Sequence, residues 1–368
     1  MKQKNPRKTS EAAEESPKEF LADPYGRKVT GLRISITDRC NLSCIYCHNE
    51  GAEGCTCGPI GHEMTPELIC GIVREAAKFG VSKVKFSGGE PLFRKDFEDI
   101  LSCLPPLKEV SATTNGILLE KRAKTLKAAG LDRVNVSLDT LVPEKYEAIT
   151  GAPAGSLEKV VKGIESAVEA GLTPVKLNMV LLKGINDNEI DSMMEFIRPY
   201  KGKVILQLIE LMDIDPKLSK YTIDSKALEK SLAERASEVR VRHLHHRKKY
   251  IIDGVEVEFV HPMDNSEFCA HCSRLRITAD GKFKPCLLVN DNLVDVREAR
   301  RPEEIEKLLR LAVSRRKPYY IPIKVLKQEK NQEEKKGQEE KWVQKLYNCK
   351  EEKSENRTFS RRQENSNE

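Results

Sequence analysis

Between residues 31 and 211, short runs of β-branched and other apolar residues alternate with longer stretches whose apolar positions recur every three or four residues. The short runs predict strands over residues 32–37, 83–87, 110–114, 133–138, 174–181 and 204–211. Helical periodicity falls between them. Residues 66–79 follow Thr65, a residue suited to cap a helix, residues 119–129 stop at Gly130, 157–170 stop at Gly171, and 187–197 form a fourth such stretch. Six strand–helix units in succession predict a parallel sheet with right-handed crossovers. A full barrel needs eight, so the expected fold class is α/β, an incomplete (βα)6 TIM-like barrel.

After residue 212 the texture changes. A helix over 225–236 precedes short alternating runs. Those at 250–252 and 255–260 flank Asp253-Gly254, and those at 274–279 and 282–285 flank Asp280-Gly281. Asp-Gly between alternating runs predicts a two-residue hairpin in each case. The expected domain layout is a disordered leader over 1–20, a partial barrel over 21–212, a smaller C-terminal α+β module over 213–326 and a charged tail over 327–368. The charges of the tail nearly cancel, and only Trp342, Leu346 and Tyr347 would support a partner-binding role there.

Composition narrows the function classes. Hydrophobic residues make up 39 % and charged residues 33 %, a soluble and ordered mixture. A net charge of +6 over 368 residues is too mild for a nucleic-acid coat, so no nucleic-acid partner is expected. No apolar run reaches the ~20 residues needed to cross a bilayer, and no membrane association is expected. The N-terminus has no apolar segment that would read as a secretory signal. Eleven cysteines in such a chain point to a reducing, cytoplasmic setting, where thiols bind metal or do chemistry rather than form disulfides.

Two cysteine groups have ligand spacing. Cys40, Cys44 and Cys47 form C-x3-C-x2-C on the loop after the first strand. Three thiolates on one loop can hold three corners of a 4Fe–4S cluster and leave one iron open to a small molecule. Tyr46, between the last two thiols, can cover that ligand. A zinc site with His48 as fourth ligand is the competing reading. Cys269, Cys272 and Cys286 form C-x2-C-x13-C. A two-residue hairpin at Asp280-Gly281 would set Cys286 opposite position 275, roughly 10 Å along the strand from Cys272. A zinc knuckle using His271 or His261 competes here. Arg274 and Arg276 share one side of their strand and suit an anion such as a triphosphate. Cys70 and Cys103 fall on helical patterns as small buried hydrophobes. Cys55, Cys57 and Cys349 read as incidental thiols, and His243, His245 and His246 as part of a basic solvated loop.

The first loop, with Ser87-Gly88-Gly89-Glu90-Pro91 after the second strand, resembles the radical S-adenosylmethionine superfamily. Both cysteine groups together resemble its GTP 3′,8-cyclase family, which serves molybdenum cofactor biosynthesis. The motifs that carry the likeness are LRISITDRCNLSCIYC, SGGEPLFRKD, TTNGILL, RVNVSLD, VKLNMVLLKGIND, IELMD and FCAHCSRLRITADGKFKPCL, within residues 25–320. The resemblance implies that the C-terminal module carries an auxiliary Fe–S cluster and closes the open side of the barrel. It implies that Cys40, Cys44 and Cys47 hold the radical-generating cluster and that Cys269, Cys272 and Cys286 hold the auxiliary one. It places Tyr46, Gly89, Ser137 and Met212 against S-adenosylmethionine, and Arg33, Lys85, Thr113, Lys176, Arg274 and Arg276 against GTP. Lys85 stands where many members have arginine, and Gln207 where an arginine is frequent.

The implied reaction begins when a 5′-deoxyadenosyl radical removes the ribose C3′ hydrogen of GTP. The carbon radical then closes on guanine C8. The implied cofactors are two 4Fe–4S clusters and S-adenosylmethionine. The implied partners are GTP, an electron donor, the downstream cyclic pyranopterin monophosphate synthase and a second copy of the chain in a homodimer. Members commonly end in a Gly-Gly that reaches the active site. This chain ends in Asn367-Glu368, so completion of the site from that end is expected to differ. Two other readings compete: a peptide-modifying radical enzyme with an auxiliary cluster, and a non-enzymatic metal-binding regulator or RNA-binding module. Aromatic residues at 5 % speak against stacking platforms for RNA.

Overall fold

The computed structural model describes residues 19–48, 63–212, 215–241, 247–262 and 269–318. The leader through residue 18, Cys55, Cys57, the histidines at 243, 245 and 246, the tail with Cys349 and the terminal Asn367-Glu368 lie outside the described residues.

Six parallel strands form the centre: β1 (Gly31–Ser35), β2 (Lys83–Ser87), β3 (Glu109–Thr114), β4 (Arg133–Ser137), β5 (Val175–Leu181) and β6 (Val204–Glu210). Their alternation explains the architecture. Leu32, Ile34, Val84, Phe86, Val110, Ala112, Val134, Val136, Leu177, Met179, Leu206 and Leu208 are buried on one face. That face packs under helices α1 (Pro66–Lys78), α2 (Phe97–Ser102), α3 (Leu119–Ala128), α4 (Pro143–Thr150), α5 (Ser156–Glu169) and α6 (Ile190–Ile197). The other face carries Arg33, Lys83, Lys85, Glu109, Ser111, Arg133, Asn135, Lys176 and Gln207, which line one cavity. The period of two thus separates a greasy outside from a polar interior. As predicted, Thr65 caps α1: its side chain accepts from the Leu68 N–H at 3.3 Å.

Strands from beyond β6 extend both edges of this sheet. They are β7 (Glu238–Val241), β8 (Lys248–Ile252), β9 (Val255–Val260), β10 (Arg274–Ile277), β11 (Lys282–Lys284) and β12 (Val294–Asp295). The order is β12-β11-β10-β1-β2-β3-β4-β5-β6-β9-β8-β7. β10 runs parallel to β1 and β9 parallel to β6, so neither edge of the six-stranded unit is left bare. The sheet does not close, as expected for a partial barrel. Helix α7 (Ser225–Arg235) is capped by Asp224, and α8 (Pro302–Ser314) packs on α1.

Several features depart from the sequence-based expectation. The β8–β9 hairpin has the predicted two-residue turn, with Asp253 at φ 49° and Gly254 at φ 78°. The β10–β11 hairpin does not. Arg276 pairs with Lys284, and the Thr278 N–H bonds to the Lys282 carbonyl at 2.9 Å, so Ala279, Asp280 and Gly281 make a three-residue loop. Continued past the end of β11, this register would set Cys286 opposite position 274, about 7 Å along the strand from Cys272. Cys70 and Cys103, expected as independent hydrophobes, are joined in a disulfide with a Cα–Cα separation of 6.0 Å. The reason is adjacency: α1 and the end of α2 lie side by side, and both Sγ atoms reach the Ile100 carbonyl. Helices α4 and α8 carried a visible start signal, Pro143 and Pro302 at the first turn.

Phe86 is fully buried and meets Phe97 edge-on with ring centroids 5.3 Å apart. Phe86→Ala is expected to cost about 3–5 kcal/mol, read as a lower urea midpoint with little change in slope.

Candidate functional site

The loop after β1 carries Cys40, Cys44 and Cys47, none of them in a disulfide, at the C-terminal rim of the strands. Helix α4 holds this loop. The Ser43 N–H donates to the Thr150 carbonyl and the Ile45 N–H to the Ile149 carbonyl, each at 2.9 Å. These are carbonyls at the end of the helix, where intrahelical partners run out. Gly151 follows at φ 66°, and a Cβ there would lie 2.3 Å from Ser43 Oγ. The second support is the loop after β2. A Cβ on Gly88 would lie 2.2 Å from the Thr37 carbonyl oxygen, and one on Gly89 2.3 Å from that of Arg39. Only glycine lets the two loops lie backbone on backbone, joined by Gly89 N–H to Thr37 O and Glu90 N–H to Arg39 O, both 2.8 Å.

Glu90 itself is buried and anchors this corner. Its carboxylate accepts from the Leu92 N–H at 2.9 Å, Thr114 Oγ1 at 2.7 Å and the Asn115 N–H at 2.6 Å. The Asn115 side chain continues to Asn41 Oδ1 at 2.8 Å, inside the cysteine loop. Tyr46 donates its hydroxyl to Asp139 Oδ2 at 2.5 Å, and Asp139 Oδ1 accepts from the Val180 N–H at 2.8 Å. Burial pushes the Asp139 carboxyl up to about 6. The Tyr46 ring packs against Ile149, Leu182 and Leu211. Gly89, Ser137 and Met212 follow or end β2, β4 and β6, so they share this rim with Tyr46.

Below the rim, toward the strand N-termini, lies a cavity of about 150 Å³. Arg33, Lys83, Lys85, Arg133, Lys176, Arg247 and Arg274 line it, with Glu109 as the one lining carboxylate among the described residues. Arg133 pairs with Glu109 at 2.6 Å. Lys176 pairs at 2.7 Å with Glu258, a fully buried carboxylate on β9 that also accepts from Gln207 at 2.7 Å. Burial holds the Lys85 ammonium well below the usual lysine range, reinforced by repulsion from Arg33, Arg133, Arg274 and Lys176. Of the substrate residues expected from sequence, Arg33, Lys85, Lys176 and Arg274 meet in this cavity. Arg276, paired with Arg33, and Thr113, paired with Asn135, do not line it. Lys83 and Arg133 were missed, although alternation with Lys85 and Asn135 marks them as inward. Arg247 precedes β8 and carries no such signal.

Cys269 and Cys272 form one turn, with the Cys272 N–H on the Cys269 carbonyl at 3.1 Å. The turn leads directly into β10. There the Ser273 carbonyl accepts from the Thr30 and Gly31 N–H groups at 3.0 and 3.2 Å, which sets the turn beside the N-terminal end of β1. Ser273 and Arg274 line the cavity. The two thiol groups therefore flank opposite ends of one polar interior, separated by about 17 Å of a five-residue strand. His261 follows the C-terminal end of β9 and pairs with Glu210 at 3.3 Å and Glu229 at 3.7 Å. That places it at the far end from Cys272, and it is not a fourth ligand there. Among the described residues, no three Cys, His, Asp or Glu side chains converge as a single-ion site. Cysteines outside any disulfide and spread along a loop suit a multi-iron cluster, whose ligands sit at separate corners, better than one tetrahedral ion.

The partial barrel and its rim define a radical S-adenosylmethionine enzyme: the Radical SAM superfamily model matches residues 34–197, and the Molybdenum Cofactor Synthesis C model matches residues 204–322. Similar proteins include the "Probable GTP 3′,8-cyclase" of Methanosarcina acetivorans, 85 % identical over 334 residues, which are 90 % of this chain and 100 % of that protein. The protein of the same description from Archaeoglobus fulgidus is 48 % identical over 304 residues, 82 % of this chain and 99 % of that one. The chain belongs to the GTP 3′,8-cyclase family. Among solved structures, "Native anSMEcpe with bound AdoMet" shares the fold with TM-score 0.54 and 19 % identity, over 75 % of this chain and 79 % of that one. Streptococcus suis SuiB bound to S-adenosylmethionine does so with TM-score 0.52 and 17 % identity, over 76 % and 64 %.

Gly151→Ala is expected to lower the iron retained after reconstitution, and adding Ser43→Ala should recover the part due to the clash but not the part due to the left-handed backbone. Binding of inorganic triphosphate in the cavity should draw the Lys85 pKa back up and so take up a proton. Calorimetry in buffers of different ionisation enthalpy should detect that uptake, and affinity should fall as pH rises across the depressed Lys85 pKa.

Proposed function

We propose that this chain cyclises GTP to (8S)-3′,8-cyclo-7,8-dihydroguanosine 5′-triphosphate, the first step of molybdenum cofactor biosynthesis. The observation that carries the reading is the single polar interior with a thiol triplet at each end and a cation-lined cavity at the lower one. Cys40, Cys44 and Cys47 would hold a 4Fe–4S cluster and, with it, S-adenosylmethionine. Tyr46, Gly89, Ser137 and Met212 frame that cofactor at the rim. Loaded with cluster and cofactor, the site would supply a 5′-deoxyadenosyl radical: abstraction of the ribose 3′ hydrogen would give 5′-deoxyadenosine, and closure of C3′ on guanine C8 would leave a nitrogen-centred radical that one electron from the external donor and one proton convert to the 7,8-dihydro product.

The chain's own residues do the positioning. A triphosphate carries about four negative charges, which Arg33, Lys85, Lys176 and Arg274 would offset in the cavity by charge-assisted hydrogen bonds, while Arg276 and Thr113, outside its lining, would reach other parts of the nucleotide. Confinement inside the barrel strengthens each of those contacts and keeps water from the radical. Cys269, Cys272 and Cys286 hold a second 4Fe–4S cluster against the purine. The tight Lys176–Glu258 pair means that Lys176 must exchange a carboxylate for phosphate oxygens as substrate enters. The accompanying proposals are a cytoplasmic location, a separate electron donor, hand-over of product to cyclic pyranopterin monophosphate synthase, and a homodimer. No helix among the described residues is long and apolar enough to cross a membrane.

Anaerobic reconstitution with iron and sulfide, followed by dithionite, S-adenosylmethionine and GTP, is expected to yield 5′-deoxyadenosine together with a cyclised GTP product. 5′-Deoxyadenosine formation with a peptide substrate but not with GTP would favour a peptide-modifying enzyme instead. Cys286→Ser should retain cofactor cleavage and lose GTP turnover; full turnover in that variant would remove the second triplet from the reaction.

A further inference from the structure

The turn bearing Cys269 and Cys272 is held from outside by a cluster that the reaction does not use. Asp23, fully buried, sits between two arginines from opposite ends of the described chain: Arg27 at 2.6 Å and Arg316, which follows α8, at 3.1 Å. Asp23 also shapes its own strap by accepting from the Tyr25 and Arg27 N–H groups at 3.0 and 2.9 Å. From this brace each guanidinium reaches a ligand cysteine's main chain. Arg27 Nη1 donates to the Cys269 carbonyl at 2.8 Å, and Arg316 Nη2 to the Cys272 carbonyl at 2.6 Å. Arg27 further donates to the Lys317 and Pro318 carbonyls at 2.6 and 2.8 Å. Three segments far apart in sequence are thus tied together at the second thiol group.

We propose that the Asp23–Arg27–Arg316 brace positions the Cys269–Cys272 turn and sets the electrostatic environment of the cluster bound there. The inference rests on the reading of the second triplet as a cluster site and goes beyond it. Two guanidiniums against one carboxylate leave net positive charge beside an anionic thiolate-ligated cluster. Charged donors close to the ligand sulfurs favour the more negative, reduced state and so raise the reduction potential. Burial makes the effect larger than a surface arginine would give: the Arg316 side chain is 3 % exposed. The forked guanidinium also suits the position, since Arg316 must reach Asp23 and the Cys272 carbonyl together.

The test uses the full chain, reconstituted anaerobically, as wild type, Arg316→Gln, Arg316→Lys and Cys269→Ser. Redox titration followed by electron paramagnetic resonance reads the two clusters separately. Arg316→Gln is expected to move the second cluster to a more negative potential and to lower its iron retention, while the first cluster and 5′-deoxyadenosine formation stay as in wild type. Arg316→Lys keeps the charge but not the fork, so it should restore most of the potential while still retaining less iron at the second site than wild type. An unshifted second-cluster signal in Arg316→Gln overturns the inference, as does equal loss of iron from both sites, which marks a merely structural contact. Should Arg316→Gln fail to fold, Arg316→Lys decides: a second-cluster signal and iron content both unchanged from wild type sink the positioning role. If wild type binds no more iron than Cys269→Ser, the second-cluster reading itself fails, and the inference falls with it.

Discussion

Confinement of positive charge inside a parallel barrel is the constraint on which the rest of this molecule depends. Parallel sheets normally bury apolar residues on both faces, because helices cover the outside and side chains fill the inside. Here much of the inside is polar, so β1 to β4 alternate between apolar outward and polar inward positions, and the cations near the lower end are partly balanced. Glu109 and Glu258 do part of that balancing through Arg133 and Lys176. Repulsion from neighbouring cations, added to burial, disfavours the charged form of Lys85. Such an interior is tuned to an anionic guest: a triphosphate would relieve the repulsion, and the carboxylates hold the cations in place until it arrives.

A second theme is that both cysteine groups are set by main-chain contacts from distant segments. At the upper rim, helix-end carbonyls of Ile149 and Thr150 and the close approach of Gly88 and Gly89 fix the loop before any iron is bound. At the lower end, arginines brace the Cys269–Cys272 turn through its carbonyls. Thiol ligands on loops that are already shaped hold a cluster more tightly, since ordering them on binding would cost conformational entropy. The strands supply the separation, and the edge pairing of β10 with β1 puts the second turn on the barrel that carries the first.

Much of this could be read from the chain. The six strand positions and four of the helices between them followed from period, and the two thiol groups from spacing. The errors have physical causes. Asp280-Gly281 is compatible with a two- or a three-residue hairpin, and the choice shifts Cys286 by one partner. Cys70 and Cys103 are 33 residues apart, and only the side-by-side lie of α1 and α2 brings them together. His261 looked available to the second cysteine group because it is near in sequence, yet it leaves β9 at the opposite end of the sheet.

What the amino-acid order determined alone is local: the period-two alternation that makes a polar interior, the caps and turns that delimit each unit, and the thiol spacing that suits iron. Tertiary structure decided which of those local pieces share a space. Arg27 and Cys269 are 242 positions apart, and β1 meets β10 through main-chain hydrogen bonds that any residue but proline can make. Such pairing leaves no mark in side-chain chemistry, so only the folded sheet shows that the second cysteine turn and the cation-lined cavity belong to the same barrel whose rim carries the first cysteine loop.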